Sequence, residues 1–317
     1  MPSVAFVFPG QGSQAVGMGA DLARSFPEAR EVFDTADRVL GFPLSQVCWE
    51  GPEEKLRQTE YTQPAIVAVS LAAWRALEAR EIRPVMVAGH SVGEYSAVAA
   101  AGVLSMEDTL RLVRVRGLAM QASGESRPGG MAAVLGLATT EVEALCQTIN
   151  AAGPGTVEVA NVNSPDQTVI SGDLEAVERS PEIARSAGAK RCIPLPVSGA
   201  FHSSLMLDAA STLSDELDRT PFRQARIPVV ANVMAAPVVH PDEVREALRA
   251  QVASRVRWVE SIEAMVARGV TTFVEVGPGT ALAGMIRKIC REARVYNVQD
   301  AATLMRAVDG LNSGVAT

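Results

Sequence analysis

The pentapeptide Gly89-His90-Ser91-Val92-Gly93 follows the apolar run Pro84-Val85-Met86-Val87-Ala88 and opens into Glu94-Tyr95-Ser96-Ala97-Val98-Ala99-Ala100-Ala101. That order predicts a strand, a tight turn and a helix. A G-x-S-x-G turn in this setting holds its serine on a sharp, strained bend, with glycines on either side because side chains there would collide with strand and helix. Ser91 then stands at a helix N-terminus, where unpaired backbone N–H groups and the helix dipole favour an oxyanion. The chemistry on offer is nucleophilic attack by a hydroxyl. The plainer alternative is a glycine-rich strand-to-helix connection, and the flanking segments favour the nucleophile.

A serine nucleophile needs a base, and the chain has three histidines, His90, His202 and His240. His90 adjoins Ser91, but consecutive side chains at a strand end diverge, so packing or orientation is its expected role. His240 sits in Val238-Val239-His240-Pro241-Asp242, a surface-turn composition. His202, in Gly199-Ala200-Phe201-His202-Ser203-Ser204, lies where small residues meet the start of a helical pattern, and it is the candidate base.

Arg116 is placed oddly for a surface residue. Met106 to Gln121 reads as a helix, and the neighbours of Arg116 at three and four residues are Leu112, Val113, Ala119 and Met120, all apolar. A guanidinium pointing inward must find an anion, either a structural carboxylate or a substrate carboxylate held by a two-pronged contact; the pattern alone does not choose. Arg111, one turn from Glu107 and Asp108, reads as an ordinary exposed ion pair. Pro9-Gly10-Gln11-Gly12-Ser13-Gln14-Ala15 follows the predicted strand Val4 to Phe8 and loosely fits a dinucleotide fingerprint. Its polar glutamines and early proline fit better with a loop that brings a backbone N–H beside Ser91 as an oxyanion donor.

Around these residues, short apolar strands alternate with helical patterns. Val4 to Phe8, Val85 to Ala88, Val229 to Ala231 and Val270 to Val276 read as strands of a parallel sheet covered by helices. The stretch from about Gly129 to Val197 differs: strand Met131 to Gly136, helix Thr139 to Ala151, strands Thr156 to Asn161 and Gln167 to Ser171, helix Leu174 to Ala187, strand Ala189 to Pro194. That βαββαβ order is ferredoxin-like, and α/β signals on both sides make it an insertion. The expected division is a discontinuous α/β domain, 1–127 and 199–317, around a small subdomain, 128–198. The junctions are Ser126-Arg127-Pro128-Gly129-Gly130 and Pro196-Val197-Ser198-Gly199, and the tail from Gly310 is expected to fray.

With 317 residues, 48% hydrophobic and 21% charged, the chain can bury a large core. No apolar run reaches the length of a membrane span and no signal-peptide pattern opens the sequence, so a cytoplasmic protein is expected. Cys48, Cys146, Cys192 and Cys290 are scattered in or beside apolar segments and read as reduced core thiols, not metal ligands. A net charge of -7 argues against general nucleic-acid binding.

Taken together, Pro9-Gly10-Gln11-Gly12-Ser13-Gln14, Tyr61-Thr62-Gln63-Pro64-Ala65, Gly89 to Ser96, Arg114-Val115-Arg116-Gly117, Asn161-Val162-Asn163-Ser164-Pro165, Gly199 to Ser203 and Val276-Gly277-Pro278-Gly279 occur in the order found in malonyl-CoA:acyl-carrier-protein transacylases. The sequence resembles that family from residue 2 to about residue 300. The resemblance implies an α/β-hydrolase-like core with a parallel sheet and an inserted ferredoxin-like subdomain. It also implies Ser91 as nucleophile, His202 as general base, and Arg116 as the ligand of the malonyl carboxylate. Backbone N–H groups of Gln11 and Val92 would form the oxyanion hole, the main-chain carbonyl of Gln251 would orient His202, and Gln63 and Asn161 would line the site. Phe201 resembles the malonyl-type pattern, whose methylmalonyl-selective relatives carry a smaller residue. The partners implied are malonyl-CoA and acyl carrier protein, with no metal or redox cofactor, no nucleic acid and no membrane; a monomer is expected.

An acidic chain that docks an acidic carrier needs local attraction, and the pairs Lys190-Arg191 and Arg287-Lys288 are candidates, against the alternative of solvated helix faces. Three rivals share parts of the pattern. A serine esterase usually has its histidine near the C-terminus after an acid, yet no histidine follows His240 here. A trans-acting acyltransferase of a polyketide assembly line shares every motif. A non-catalytic carrier-binding module would not need Ser91, His202 and Arg116 together.

Overall fold

The computed structural model describes residues 3–197 and 199–313. Its strands are, in chain order, Val4–Phe8 (β1), Met86–Gly89 (β2), Gly129–Leu135 (β3), Val157–Ser164 (β4), Gln167–Asp173 (β5), Arg191–Pro194 (β6), Val229–Ala231 (β7), Ala236–Val238 (β8), Thr272–Val276 (β9) and Arg294–Val298 (β10). Six of them form one sheet in the order β10-β9-β1-β2-β7-β8. Every pairing in it is parallel except β7 with β8 at the edge. The central strands are buried along their whole length because helices cover both faces, and that is why they read as unbroken apolar runs. Their side chains alternate between two cores: Val4, Phe6 and Phe8 enter one, Ala5 and Val7 the other.

The second sheet has the order β4-β5-β3-β6 and is antiparallel throughout, the ferredoxin-like arrangement expected from the βαββαβ pattern. Its two faces have different fates. Ala132, Val134, Val157 and Ile170 pack under helices Thr139–Ala151 and Leu174–Ser186, whereas Met131, Ala133, Ala160 and Val169 join the main core. The sheet therefore leans its uncovered face on the larger structure.

Two strands escaped the sequence pattern. β10 is a half-exposed edge, and β8 is a three-residue edge strand containing Pro237, tolerated there because an edge position needs no N–H. The expected fraying from Gly310 is corrected: helix Ala301–Ser313 runs through it, burying Leu304, Ala307, Val308 and Leu311. The Tyr296 ring packs close over Gly310, where a Cβ would stand 2.7 Å from Cε1 and from the hydroxyl. Residues 314–317 of that tail, and Ser198 of the second junction, lie outside the described residues. The helix holding Arg116 extends to Ser126, just short of Pro128, which disfavours helical geometry in the residue before it.

The turn after β2 is the tightest junction in the large sheet. A Cβ on Gly89 would lie 2.0 Å from the Gly93 carbonyl carbon, and one on Gly93 would lie 2.2 Å from the Phe8 carbonyl oxygen and 2.7 Å from that of Pro9. Backbone cannot give way as a side chain can. Gly93→Ala is therefore expected to destabilise the protein by about 1–3 kcal/mol, the usual overpacking range, measured as a lower urea midpoint. Gly284→Ala, where a Cβ meets nothing within 4 Å, is expected to leave the midpoint unchanged or raise it.

Candidate active site

Ser91 sits between the end of β2 and the helix Gly93–Ala100 with φ 52°, a left-handed conformation unusual for a residue with a side chain. Asn232, directly after β7, pins the bend: its Oδ1 accepts from the Ser91 N–H (2.8 Å) and its Nδ2 donates to the Gly89 carbonyl (2.6 Å). Gly10 lets the loop after β1 come against the same turn, for a Cβ there would be 2.6 Å from the His90 carbonyl oxygen. No helix opens on this loop; the next one starts at Ala20, so it lacks the geometry of a dinucleotide fingerprint. The backbone N–H groups of Gln11 and Val92 find no acceptor among the described residues, as donors kept for an oxyanion would.

His202 also has a positive φ, 61°, on the loop before the helix Leu207–Arg219. Its Nε2 is 2.6 Å from Ser91 Oγ, and its Nδ1 lies 3.0 Å from the Gln251 carbonyl and 3.1 Å from that of Ser254. Carbonyl oxygens only accept, so Nδ1 carries the proton and Nε2 presents its lone pair to the serine hydroxyl. Burial, then the neighbouring Arg116 charge, depress the His202 pKa to about 3, keeping the ring neutral. The Ser254 carbonyl is an unexpected second acceptor beside the expected one.

Arg116 is 1% exposed and makes no ion pair among the described residues. Its Nη1 donates to Gln63 Oε1 (2.7 Å), and its Nη2 donates to Gln251 Oε1 (3.0 Å) and to Ser91 Oγ (3.2 Å). The inward direction read from the helix pattern holds, but the immediate partners are neutral amide oxygens and the serine. Glu94 lies one residue further out, its Oε2 accepting from Gln251 Nε2 (2.6 Å) and from the Asn232 N–H (3.1 Å). Burial pushes the Glu94 carboxyl up to about 7, with the Gln251 and Asn232 hydrogen bonds and the Arg116 charge pulling the other way.

These groups open into a cavity of about 440 Å³ whose walls include Gln11, Gln63, Met131, Asn161, Val169 and Phe201. His90, expected to pack or to orient, has its Nε2 2.8 Å from Asn163 Oδ1, tying the turn to β4, and its ring packs edge-on against Trp258. His240 is exposed as expected and also caps the helix Pro241–Gln251, its side chain accepting from the Asp242 N–H. The basic pairs converge on one edge. The Lys190 side chain lies over Gly136, whose N–H donates to the Asp166 carbonyl, and Lys288 Nζ is 2.9 Å from Asp166 Oδ1. Lys190, Arg191, Arg287 and Lys288 are exposed, with Lys288 already in an ion pair. Among the described residues no cluster of three or more His, Cys, Asp or Glu is arranged to hold a metal ion.

Asn232, Glu94 and Ser254 were not singled out as site residues. Asn232 had a usable signal, a polar residue at the C-terminal end of a parallel strand, where ligand sites of open α/β sheets gather.

A parallel α/β core with a serine–histidine pair on a strand-to-helix elbow, and an antiparallel sheet walling the cleft above it, defines the general class. The chain belongs to the acyl transferase domain family, whose model matches residues 5–312. It is 42% identical over 311 residues to the Bacillus subtilis protein named malonyl CoA-acyl carrier protein transacylase, covering 98% of each chain. An acyl-carrier-protein-S-malonyltransferase from Bartonella henselae superposes with TM-score 0.93 at 42% identity, covering 98% of this chain and 99% of that one. A malonyl-transacylase solved with a type II PKS acyl-carrier protein gives TM-score 0.92 at 39% identity, covering 97% and 99%.

With the His202 pKa near 3 against about 6.5 for an ordinary histidine, the neutral base persists well below pH 6. The rate at which phenylmethylsulfonyl fluoride labels Ser91 is expected to stay within about twofold from pH 7 to pH 5. An ordinary histidine would lose more than tenfold over that range.

Proposed function

We propose that the protein is a malonyl-CoA:acyl-carrier-protein S-malonyltransferase working through a malonyl-serine. The observation that carries this reading is the buried Arg116 guanidinium, without a carboxylate partner among the described residues, its Nη2 3.2 Å from Ser91 Oγ. A cation so placed favours an acyl group that brings its own carboxylate. An acetyl group would leave the charge unpaired, a discrimination of ~3 kcal/mol. The names of the relatives support the same substrate.

In the proposed reaction His202 Nε2 takes the Ser91 proton as Oγ attacks the thioester carbonyl of malonyl-CoA. The Gln11 and Val92 N–H groups hold the tetrahedral oxyanion, and its collapse breaks the C–S bond, the imidazolium giving its proton to the departing CoA thiolate. The phosphopantetheine thiol of acyl carrier protein then gives its proton to His202 and attacks the serine ester, and Ser91 leaves with that proton. The scheme draws on no metal or redox cofactor; the CoA thioester is a substrate. Gln63, Asn161 and Phe201 shape the acyl pocket, and Lys190, Arg191, Arg287 and Lys288 form the carrier-docking edge. On this reading the parts are a catalytic domain, 1–127 and 199–317, and a subdomain, 128–198, in a cytoplasmic monomer. A polyketide carrier is the second reading, favoured by the relative solved with a type II PKS acyl-carrier protein; comparing malonylation rates of fatty-acid and polyketide carriers separates the two.

Intact-mass spectrometry after mixing with malonyl-CoA is expected to show one malonyl adduct on the wild type and none on Ser91→Ala. His202→Ala is expected to slow loading by about 10²–10⁴-fold. Arg116→Ala is expected to lose malonyl loading while its acetyl-to-malonyl ratio rises at least tenfold. A parallel fall with both thioesters would make Arg116 a structural residue and remove the basis for malonyl selection.

A further inference from the structure

Glu94 is 1% exposed and follows the elbow on a helix whose next residues, Tyr95 to Ala99, are buried. Its carboxylate touches neither Ser91 nor Arg116 by hydrogen bond. It reaches both through Gln251, whose Nε2 donates to Glu94 Oε2 (2.6 Å) and to the Ser91 carbonyl (3.0 Å) while Oε1 accepts from Arg116 (3.0 Å). A primary amide has an accepting end and a donating end. Flipped, Gln251 would set its NH₂ against the guanidinium, donor to donor, and its oxygen against the Glu94 carboxylate and the Ser91 carbonyl. The guanidinium and the Ser91 carbonyl already oppose that flipped state, and the Glu94 carboxylate in its ionised form, which only accepts, adds the shortest of the three contacts against it.

The amide also works as a spacer. A carboxylate in direct contact with Arg116 would occupy the position that an anionic substrate needs, whereas one held behind an amide offsets the buried charge and leaves the front of the guanidinium open. We propose that Glu94 is a positioning residue for acyl-group selection: by locking the Gln251 amide with Oε1 on Arg116, it holds the guanidinium over Ser91 for a terminal carboxylate on the acyl chain. This rests on the malonyl reading of the site.

The test compares Glu94→Gln and Glu94→Asp with wild type in two reactions at Ser91. Single-turnover loading by malonyl-CoA needs the arginine; inactivation by phenylmethylsulfonyl fluoride needs the serine, histidine and oxyanion donors but no carboxylate site. Glu94→Gln replaces an acceptor by an amide that can turn its own NH₂ toward Gln251, and Glu94→Asp keeps the charge but withdraws it. Malonyl loading is expected to fall about ten- to hundredfold in both, the range for losing a hydrogen bond to a charged group, mainly as a weaker apparent Kd. Sulfonylation is expected to stay within about threefold of wild type. Equal falls in both reactions would show that Glu94 acts on the elbow through Asn232 and Ser91, and unchanged loading would show that Gln251 holds without it; either overturns the proposal. So would loss of the native thermal transition in both variants, which would make Glu94 a folding residue. Wild-type protein that is sulfonylated but never loaded by malonyl-CoA would overturn the malonyl reading itself, separately from Glu94.

Discussion

A guanidinium shut away from water beside a serine hydroxyl is the constraint around which the rest of the site is built. Removing such a charge from solvent costs several kcal/mol unless dipoles or counter-charges replace the water. Here the replacement is graded: Gln63 and Gln251 present amide oxygens to it, the Tyr95 ring lies with its centroid 5.8 Å from the Arg116 guanidinium carbon, and Glu94, in its ionised form, adds negative charge behind Gln251. The residues come from four helices, two of them consecutive in the chain. Helix Thr59–Glu78 brings Gln63, Gly93–Ala100 brings Glu94 and Tyr95, Met106–Ser126 brings Arg116, and Pro241–Gln251 ends on Gln251. Their packing on one face of the large sheet is what makes a neutral first layer around a cation feasible.

The second determinant is close backbone approach. Three chain segments, the end of β1, the turn after β2 and the residue after β7, meet at the C-terminal ends of neighbouring parallel strands. Glycines at 10, 89 and 93 remove the side chains that would keep them apart. Ser91 is forced into a left-handed conformation as part of the same junction, and Asn232 closes the hydrogen bonds that the bend leaves open. The antiparallel sheet supplies the opposite wall with Met131 and Val169.

How much of this could be read from the sequence follows from how local each signal is. The elbow is contiguous, the six elements of the small sheet fall in the expected order, and the inward face of Arg116 is set by neighbours within one turn. His202 emerged because the chain offers few histidines. The Gln251 carbonyl entered only through resemblance, since any residue has a carbonyl and nothing in its side chain advertises it. Glu94 did carry a trace, a lone acid at the head of an apolar helix, the same kind of anomaly that exposed Arg116. Its partners Asn232 and Gln251 lie 138 and 157 residues away, a pairing only the fold can supply. At Gly310 the rule that terminal glycines loosen a chain failed because Leu304, Ala307, Val308 and Leu311 on the same helix are buried.

The imidazole of His202 is backed by two peptide carbonyls and not by an acid. In triads an aspartate behind the ring stabilises the imidazolium as it forms. Carbonyl dipoles do this less, and the adjacent guanidinium opposes it, so a proton taken by this ring is held loosely and handed back readily. Such a base is weak for driving water onto an ester, where a strong proton sink helps. In the proposed scheme the second half-reaction asks less of it, because the attacking carrier thiol is itself far more acidic than water. A ring regenerated in every cycle leaves the balance of the exchange untouched, so the direction of flow through the site is left to the relative concentrations of the two thioesters and their free thiols.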